Sequence, residues 1–309
     1  MSFVNRICDK VYVINLEKDK NKMKSAKEQL DQQSIGFERF NAIDGNDISQ
    51  NIFFSSFCYK FCTSGVKGCA ASHRSLWQNM INNNYDHILV FEDDIIIDKD
   101  FNTKLTLLYN EVPKDFDILY LGSLFYCGDN SYYSRARNLK SNKITDNVLH
   151  VDGCAGFHGY IISKKCAQQF LKETINFHID DNAINWIHKY NLKAYALSPS
   201  LVNQNLNNSN LSSKYPNILN KTISNIIIAN NIPLNWLLNE NSYTISSINI
   251  TSLLIILLSI SFFIPLKYYY FIYLWLFAEW LSSKDTTNSI KYATLFGIIY
   301  FIKYFIIKY

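Results

Sequence analysis

The chain has 309 residues, with 30 Lys and Arg against 26 Asp and Glu and a net charge of +4. That length accommodates one large domain plus an appendage. The small charge, without a Lys/Arg block in the first 240 residues, excludes nucleic acid as an expected partner. Seven scattered cysteines and an N-terminus lacking a basic-then-apolar leader point to a reducing, cytoplasmic compartment.

Val11 to Leu16 is a short β-rich apolar run, and Met23, Ala26 and Leu30 follow it at helical spacing, so the chain opens strand then helix. Phe37 to Ala42 predicts a further strand, closed by Ala42-Ile43-Asp44-Gly45, where Asp-Gly marks a turn. Cys69, Leu76, Trp77 and Met80 trace an apolar helical face over Val66 to Met80, and Ile88 to Phe91 forms the next strand. Cys58, Cys62, Cys69 and His73 offer Cys-x3-Cys followed by Cys-x3-His, ligands that suit zinc; the spacing is loose, and small buried thiols explain it equally.

Asp117 to Gly122 gives another strand, and Gly156 to Ser163 with Lys164 to Lys172 gives strand into helix. This alternation predicts an α/β sheet with helices on both faces, with ligands gathered at the carboxyl ends of the strands. Asp180 and Asp181 precede Ala183, Ile184 and Ile187 in the first turn of a helix, where the macrodipole alone accounts for carboxylates.

After Pro199 the tract Asn203 to Asn210 is too polar to build a core. The expected organisation is a domain over 1–211, a connecting segment over 212–244 and a hydrophobic helical tail over 245–309. Ile245 to Leu266 carries no charge and meets the span of about 20 residues that crosses a bilayer. Tyr268 to Leu281 contains Glu279 and Tyr292 to Ile307 contains Lys303, so these segments read as interfacial or partial spans. Five lysines against Glu279 and Asp285 leave the tail at +3, which suits an anionic lipid surface. The alternative is a hydrophobic hairpin packed on the domain or a partner.

One feature stands apart. The run Ile88-Leu89-Val90-Phe91 ends in three carboxylates, Glu92, Asp93 and Asp94. Like charges held together at a strand end call for a cation between them. Hard oxygen ligands favour Mg2+ or Mn2+, as in a nucleotide-diphosphate site, although a hydrolase or a calcium site uses the same residues.

Several separated motifs together resemble glycosyltransferase family 25, the lipooligosaccharide galactosyltransferase group that also includes relatives of collagen galactosyltransferases. They are Val13-Ile14-Asn15-Leu16, Ala42-Ile43-Asp44-Gly45, Gly68-Cys69-Ala70-Ala71-Ser72-His73, Phe91-Glu92-Asp93-Asp94, Gly159-Tyr160-Ile161-Ile162-Ser163, His178-Ile179-Asp180-Asp181, and Pro199 with Gln204. The resemblance covers residues 11–211 and leaves the tail outside it.

The resemblance implies a GT-A-type nucleotide-sugar-binding sheet and transfer of a hexose, galactose from UDP-galactose, onto a lipooligosaccharide or other saccharide or glycolipid acceptor. It implies Asp94 and Glu92 as ligands of Mn2+ or Mg2+, with Asp93 turned by strand alternation towards a donor contact. Asn15 and Asp44 would hold the uridine or ribose, unless they only cap turns. Ser72 and His73 would lie near the donor, unless His73 is a packed group. Asp181, with Asp180 as understudy, would serve as general base towards the acceptor hydroxyl.

Two departures qualify the match. Lys18, Lys20 and Lys22 stand where the family usually has arginines, and lysine meets phosphate only as a point charge. Asn210 stands where relatives often carry aspartate. The competing expectation is a non-catalytic, membrane-anchored nucleotide-sugar or glycan-binding protein; the preferred one places the enzyme at the cytoplasmic face of a membrane.

Overall fold

The computed structural model describes residues 2–49, 52–124, 127, 139–206, 213–228, 232–245 and 247–308. Position 210 and most of the Cys127 to Asn147 loop lie outside them. The chain divides into two compact units, Met1–Ser209 and Asn210–Tyr309.

The first unit is built on an eight-stranded sheet of order β2-β1-β3-β8-β5-β9-β7-β6. Its members are β1 (Lys10–Asn15), β2 (Glu38–Asn41), β3 (His87–Glu92), β5 (Ile118–Tyr120), β6 (Ser141–Lys143), β7 (Val148–Val151), β8 (Gly159–Ser163) and β9 (Ala194–Leu197); β4 (Ile95–Ile97) pairs separately with β10 (Val202–Gln204). Helices flank the sheet, so the expected α/β class holds. β1 is parallel to β2 and to β3, whereas β8 runs antiparallel to both of its neighbours, β3 and β5.

The run from Ile88 to Phe91 is continuous rather than alternating because both sheet faces are covered. Leu89 and Phe91 join Val11, Val13, Leu119 and Ile161 in one core cluster. Ile88 and Val90 point the other way along the pleat and are equally buried. The strand order brings the carboxyl ends of β1, β2 and β3 to one edge.

The helix Ser64–Asn82 starts where the Thr63 hydroxyl accepts from Val66 N at 3.3 Å. Its first turn is locked to the turn after β2 by two glycines. A Cβ on Gly45 would lie 1.8 Å from Ser64 O, and one on Gly68 2.7 Å from Ile43 O. Only glycine lets these two backbones approach so closely. The Ser72 hydroxyl completes the lock, donating to Gly68 O at 2.7 Å and accepting from Ile43 N at 2.8 Å.

The second unit corrects the expected span at Ile245 to Leu266. That stretch is not one helix: Tyr243–Ile245 and Ile248–Ile250 form a hairpin (β11, β12), and the helix that follows, Ser252–Phe263, ends just before Pro265. At 12 residues this helix reaches about 18 Å, short of the roughly 30 Å hydrocarbon layer. The helix Tyr270–Ser283 follows, and Thr286–Ile306 is the one described helix long and apolar enough to cross a membrane. Composition alone did not show that proline and the hairpin divide the first apolar run, or that Lys303 is absorbed within the last.

Lys303 is 7% exposed and its ammonium donates to the carbonyls of Ser261 and Ile264 at the end of the Ser252–Phe263 helix. Glu279 is fully buried and its carboxylate accepts from Ile218 N at 2.7 Å and Leu219 N at 3.1 Å, at the start of the helix Asn217–Ile223. Each charge therefore sits at the helix terminus of opposite partial charge.

Cys127 and Cys154 form a disulfide, which scattered thiols in a reducing compartment did not lead one to expect. Cys8, Cys58, Cys62, Cys69 and Cys166 are free. The four-ligand zinc pattern does not assemble among the described residues: Cys69 and His73 converge with Glu92, whereas Cys58 and Cys62 interact with each other.

Candidate active site

The acidic turn links β3 to β4, and its three side chains meet different surroundings. Ile14 pairs with Glu92 in the β1–β3 register, so Asn15 lies one step beyond, level with Asp93. Asn15 Nδ2 donates to Asp93 Oδ2 at 2.6 Å. Asn15 is held in turn by Arg39, whose Nε donates to Asn15 Oδ1 at 2.8 Å. Lys22 Nζ lies 3.8 Å from Asp93 Oδ1, and both side chains are largely buried.

Glu92 and Asp94 instead face Gln204. The β4–β10 pairing sets Gln204 opposite Ile95, which returns a residue from far along the chain to the acidic turn. Gln204 Nε2 lies 3.3 Å from Glu92 Oε2, 3.1 Å from Asp94 Oδ1 and 3.2 Å from Asp94 Oδ2. One amide has two hydrogens, so three carboxylate oxygens share two protons. The backbone adds a tie, Asn205 N to Asp94 O at 2.7 Å.

Burial, with Glu92 and Asp93 as like-charged neighbours, raises the Asp94 carboxyl to about 7. Burial and Glu92 likewise raise Asp93, against the hydrogen bond from Asn15 and the charge of Lys22. For Glu92 burial also works upward, but the hydrogen bond from His73, with the charge of Lys22 nearby, outweighs it and holds the carboxyl below its usual range. The turn thus holds one secured carboxylate beside one that half-protonates near neutrality. A divalent cation among oxygens of Glu92 and Asp94 would remove that repulsion, and hard carboxylate oxygens are the donors that Mn2+ or Mg2+ takes.

The other oxygen of Glu92 is gripped from the helix side. Trp77 Nε1 donates to the Tyr160 hydroxyl at 3.0 Å, and that hydroxyl lies 2.8 Å from His73 Nδ1. Indole is only a donor, so the Tyr160 proton is available for Nδ1. His73 then carries its own proton on Nε2, aimed at Glu92 Oε1 at 3.2 Å. His73 is 1% exposed and packs edge-on against Phe157 at 5.5 Å. It is a positioning group for Glu92 within a packed aromatic cluster.

Among the remaining expected residues, Lys18 Nζ pairs with Asp44 Oδ2 at 2.6 Å. Asp44 Oδ1 also accepts from Asn46 N at 3.0 Å, an Asx turn. The Lys18 hydrogen bond, followed by that from Asn46, holds the Asp44 carboxyl below its ordinary value. Ser72 is engaged in the glycine lock. Asp180 and Asp181 open the helix Ile179–Tyr190. Asp180 Oδ2 accepts from Gly156 N at 2.5 Å and Oδ1 from Asp181 N at 2.9 Å, while its charge also raises the thiol of Cys69.

Arg39, Tyr160, Trp77 and Gln204 join the site without a functional role expected from sequence, and Lys22, expected there only as a phosphate contact, lies against Asp93. Tyr160 and Gln204 stood inside quoted motifs, which was the available signal; the others became legible only when sheet register supplied their partners.

An α/β sheet that gathers a charged, hydrogen-bonded acidic turn at the shared carboxyl edge of parallel strands defines a protein with a polar ligand site at that edge. The model described as "Glycosyltransferase family 25 (LPS biosynthesis protein)" matches residues 8–184. The chain belongs to glycosyltransferase family 25 and is a transferase.

A Haemophilus influenzae protein named "Putative glycosyltransferase" is 27% identical over 201 residues, covering 62% of this chain and 68% of its own length. The mouse protein "Procollagen galactosyltransferase 2" is 24% identical over 226 residues, covering 63% of this chain. The match spans 35% of that mouse protein's length, and the same share of an Aedes aegypti "Glycosyltransferase 25 family member". A solved glycosyltransferase involved in glycosylation of the PBCV-1 major capsid aligns over 52% of this chain and 61% of its own at 9% identity and TM-score 0.28. At that score the fold description rests on the sheet order itself.

Proposed function

We propose that this transferase moves a hexose, galactose from UDP-galactose, onto a lipooligosaccharide or other glycan acceptor, with Mn2+ or Mg2+ held by Glu92 and Asp94. The convergence of three carboxylate oxygens from these residues on the single Gln204 amide carries the proposal. The bound ion would supply neutralisation of charge on the departing nucleotide diphosphate. Galactose is supported by the procollagen galactosyltransferase relatives, and a glycolipid acceptor by the description of the family model.

In this reading Asn15, fixed by Arg39 and Asp93, offers its edge of the sheet to the nucleoside. Lys18 and Lys22 are the cations nearest the acidic residues on the donor side. Asp181 is the general base towards the acceptor, and Asp180, committed to Gly156 and to the Asp181 amide, positions it. The test is a panel of nucleotide sugars assayed for hydrolysis and transfer with and without Mn2+. Metal-dependent turnover of UDP-galactose above the other donors is expected; binding without turnover of any donor would favour the non-catalytic reading instead.

The second unit is proposed to attach the enzyme to a membrane, supported by the apolar helix Thr286–Ile306 and by exposed Phe271, Leu274, Phe277 and Phe301. Carbonate-washed membranes should retain the full chain and lose a chain ending at Ser209; retention of the short form would overturn the attachment. The proposed side is the cytoplasmic face. Protease added to sealed right-side-out membrane vesicles decides it: protection of the first unit supports that face, and its digestion opposes it.

A further inference from the structure

The two oxygens of Glu92 look into chemically different places. Oε2 joins the hard, all-oxygen group with Asp94. Oε1 lies 3.9 Å from Cys69 Sγ and 3.2 Å from His73 Nε2, and all three atoms fall within 4.8 Å of one another. Cys69 and His73 are one helical turn apart on the Ser64–Asn82 helix and therefore share a face.

A tetrahedral zinc ion has bonds of about 2.0 Å to nitrogen and oxygen and about 2.3 Å to sulfur, which puts its ligand atoms roughly 3.3 to 3.5 Å apart. The nitrogen and oxygen here already stand close to that separation, and the sulfur, 3.9 Å from the Glu92 oxygen and within 4.8 Å of the His73 nitrogen, has to close by up to about 1.3 Å, the reach of a side-chain rotation. Cys69 and Glu92 are half-buried rather than sealed in the core, so an ion has a way in.

We propose that Cys69, His73 and Glu92 form a binding site for a soft or borderline divalent cation such as Zn2+, adjacent to the hard-oxygen site and sharing Glu92 with it. The donor types separate the two: thiolate and imidazole select Zn2+ or Co2+, whereas carboxylates alone suit Mn2+ and Mg2+. On binding, the Cys69 thiol releases its proton to solvent and His73 coordinates through Nε2. The remaining imidazole proton then sits on Nδ1 and is donated to the Tyr160 oxygen, which has a lone pair besides the one that Trp77 uses. That leaves a histidine ligand oriented by a hydroxyl behind it, as metal-bound imidazoles usually are. Without an ion, burial and the charges of Glu92, Asp180 and Asp94 keep the thiol protonated.

The site predicts that Zn2+ competes for Glu92 and opposes the Mn2+-dependent reaction. It rests on the acidic-turn geometry and only its inhibitory consequence rests on the proposed transferase reading, so binding is measured directly. Chelator-treated full-length protein is titrated with Co2+ and followed by sulfur-to-cobalt charge transfer in the near ultraviolet and by tetrahedral ligand-field bands in the visible. One equivalent with both signatures is expected.

Cys69→Ser should abolish the sulfur band and weaken binding at least about tenfold, since loss of even a supporting partner costs 10 to 100-fold. Cys58→Ser, which leaves the cluster untouched, should keep the band, and Asp94→Asn should keep it while losing Mn2+. A sulfur band that survives Cys69→Ser, or that disappears with Cys58→Ser, would assign the metal to the Cys58–Cys62 pair and overturn the proposal, as would the absence of any band in the folded wild type.

Discussion

The two units bury charge in opposite ways. In the second, Glu279 and Lys303 each meet a helix end of opposite sign and are fully engaged by backbone groups. In the first, Glu92, Asp93 and Asp94 are consecutive, partly buried and mutually repulsive, and one lysine, two side-chain amides and the His73 imidazole stand against them. A buried charge that its own fold satisfies is structural. A buried charge that its fold leaves under-compensated is poised for something it binds.

The largest effect should come from removing the poised charge. Asp94→Ala is expected to lower metal-dependent donor turnover at least about a hundredfold, the scale on which a single electrostatic group at a reacting centre matters. Calorimetric Mn2+ titration should lose its hard-site binding in parallel. Activity within a few-fold of wild type would move the ion off the acidic turn.

Glu279→Ala attacks the satisfied charge. It leaves the amides of Ile218 and Leu219 without their acceptor inside an apolar unit, a cost of about 1–3 kcal/mol. Unfolding of the full chain in detergent should therefore show a lower second-unit transition, with donor binding by the first unit preserved. Lys303→Met is expected to cost less, about 1 kcal/mol, because the carbonyls at a helix end tolerate loss of one cation better than buried N–H groups tolerate loss of an acceptor.

The contrast between the units also marks what sequence could reveal. An uninterrupted apolar run such as Ile88 to Phe91 and a helical periodicity such as Val66 to Met80 were legible because one residue's neighbours along the chain decide its state. So was the oddity of three carboxylates after an apolar strand. The Gln204 contact was not, since it depends on a short β4–β10 pairing across more than a hundred residues. Nor was the His73 tautomer, which follows from Trp77 and Tyr160 meeting across helix and sheet. The tail misled for a related reason: apolar composition reports burial or lipid, but only Pro265 and the β11–β12 hairpin decide where one helix stops.

A reversal of sign sharpens the comparison further. Asp94→Asn keeps the shape of the side chain and removes one repelling charge, so the metal-free first unit should become more stable by about 1 kcal/mol, whereas Glu279→Ala destabilises. Chemical denaturation of the chelator-treated protein measures both. Stabilisation by neither change, or destabilisation by Asp94→Asn, would mean that the acidic turn is held by compensation not evident in its contacts.

The last effect is a slope. Asp94, raised to about 7 by burial and by Glu92, keeps a proton in the folded chain over a pH range in which an unfolded aspartate, at about 3.9, has released it. The folded state therefore binds more protons than the unfolded state between about pH 4 and 7, and stability must fall as pH rises through that window, by no more than about 1.4 kcal/mol per pH unit. Glu92, held low chiefly against burial by His73, works oppositely and only towards the acid end, where its protonation would cost stability. Saturating Mn2+ should flatten the slope, because a bound cation removes the reason for Asp94 to hold its proton. Thermal melts of the metal-free and Mn2+-loaded chain at pH 5.5 and 7.5, about the middle and just past the top of that window, decide the point: equal shifts with pH in both forms would uncouple Asp94 from the ion and leave its proton a purely structural matter.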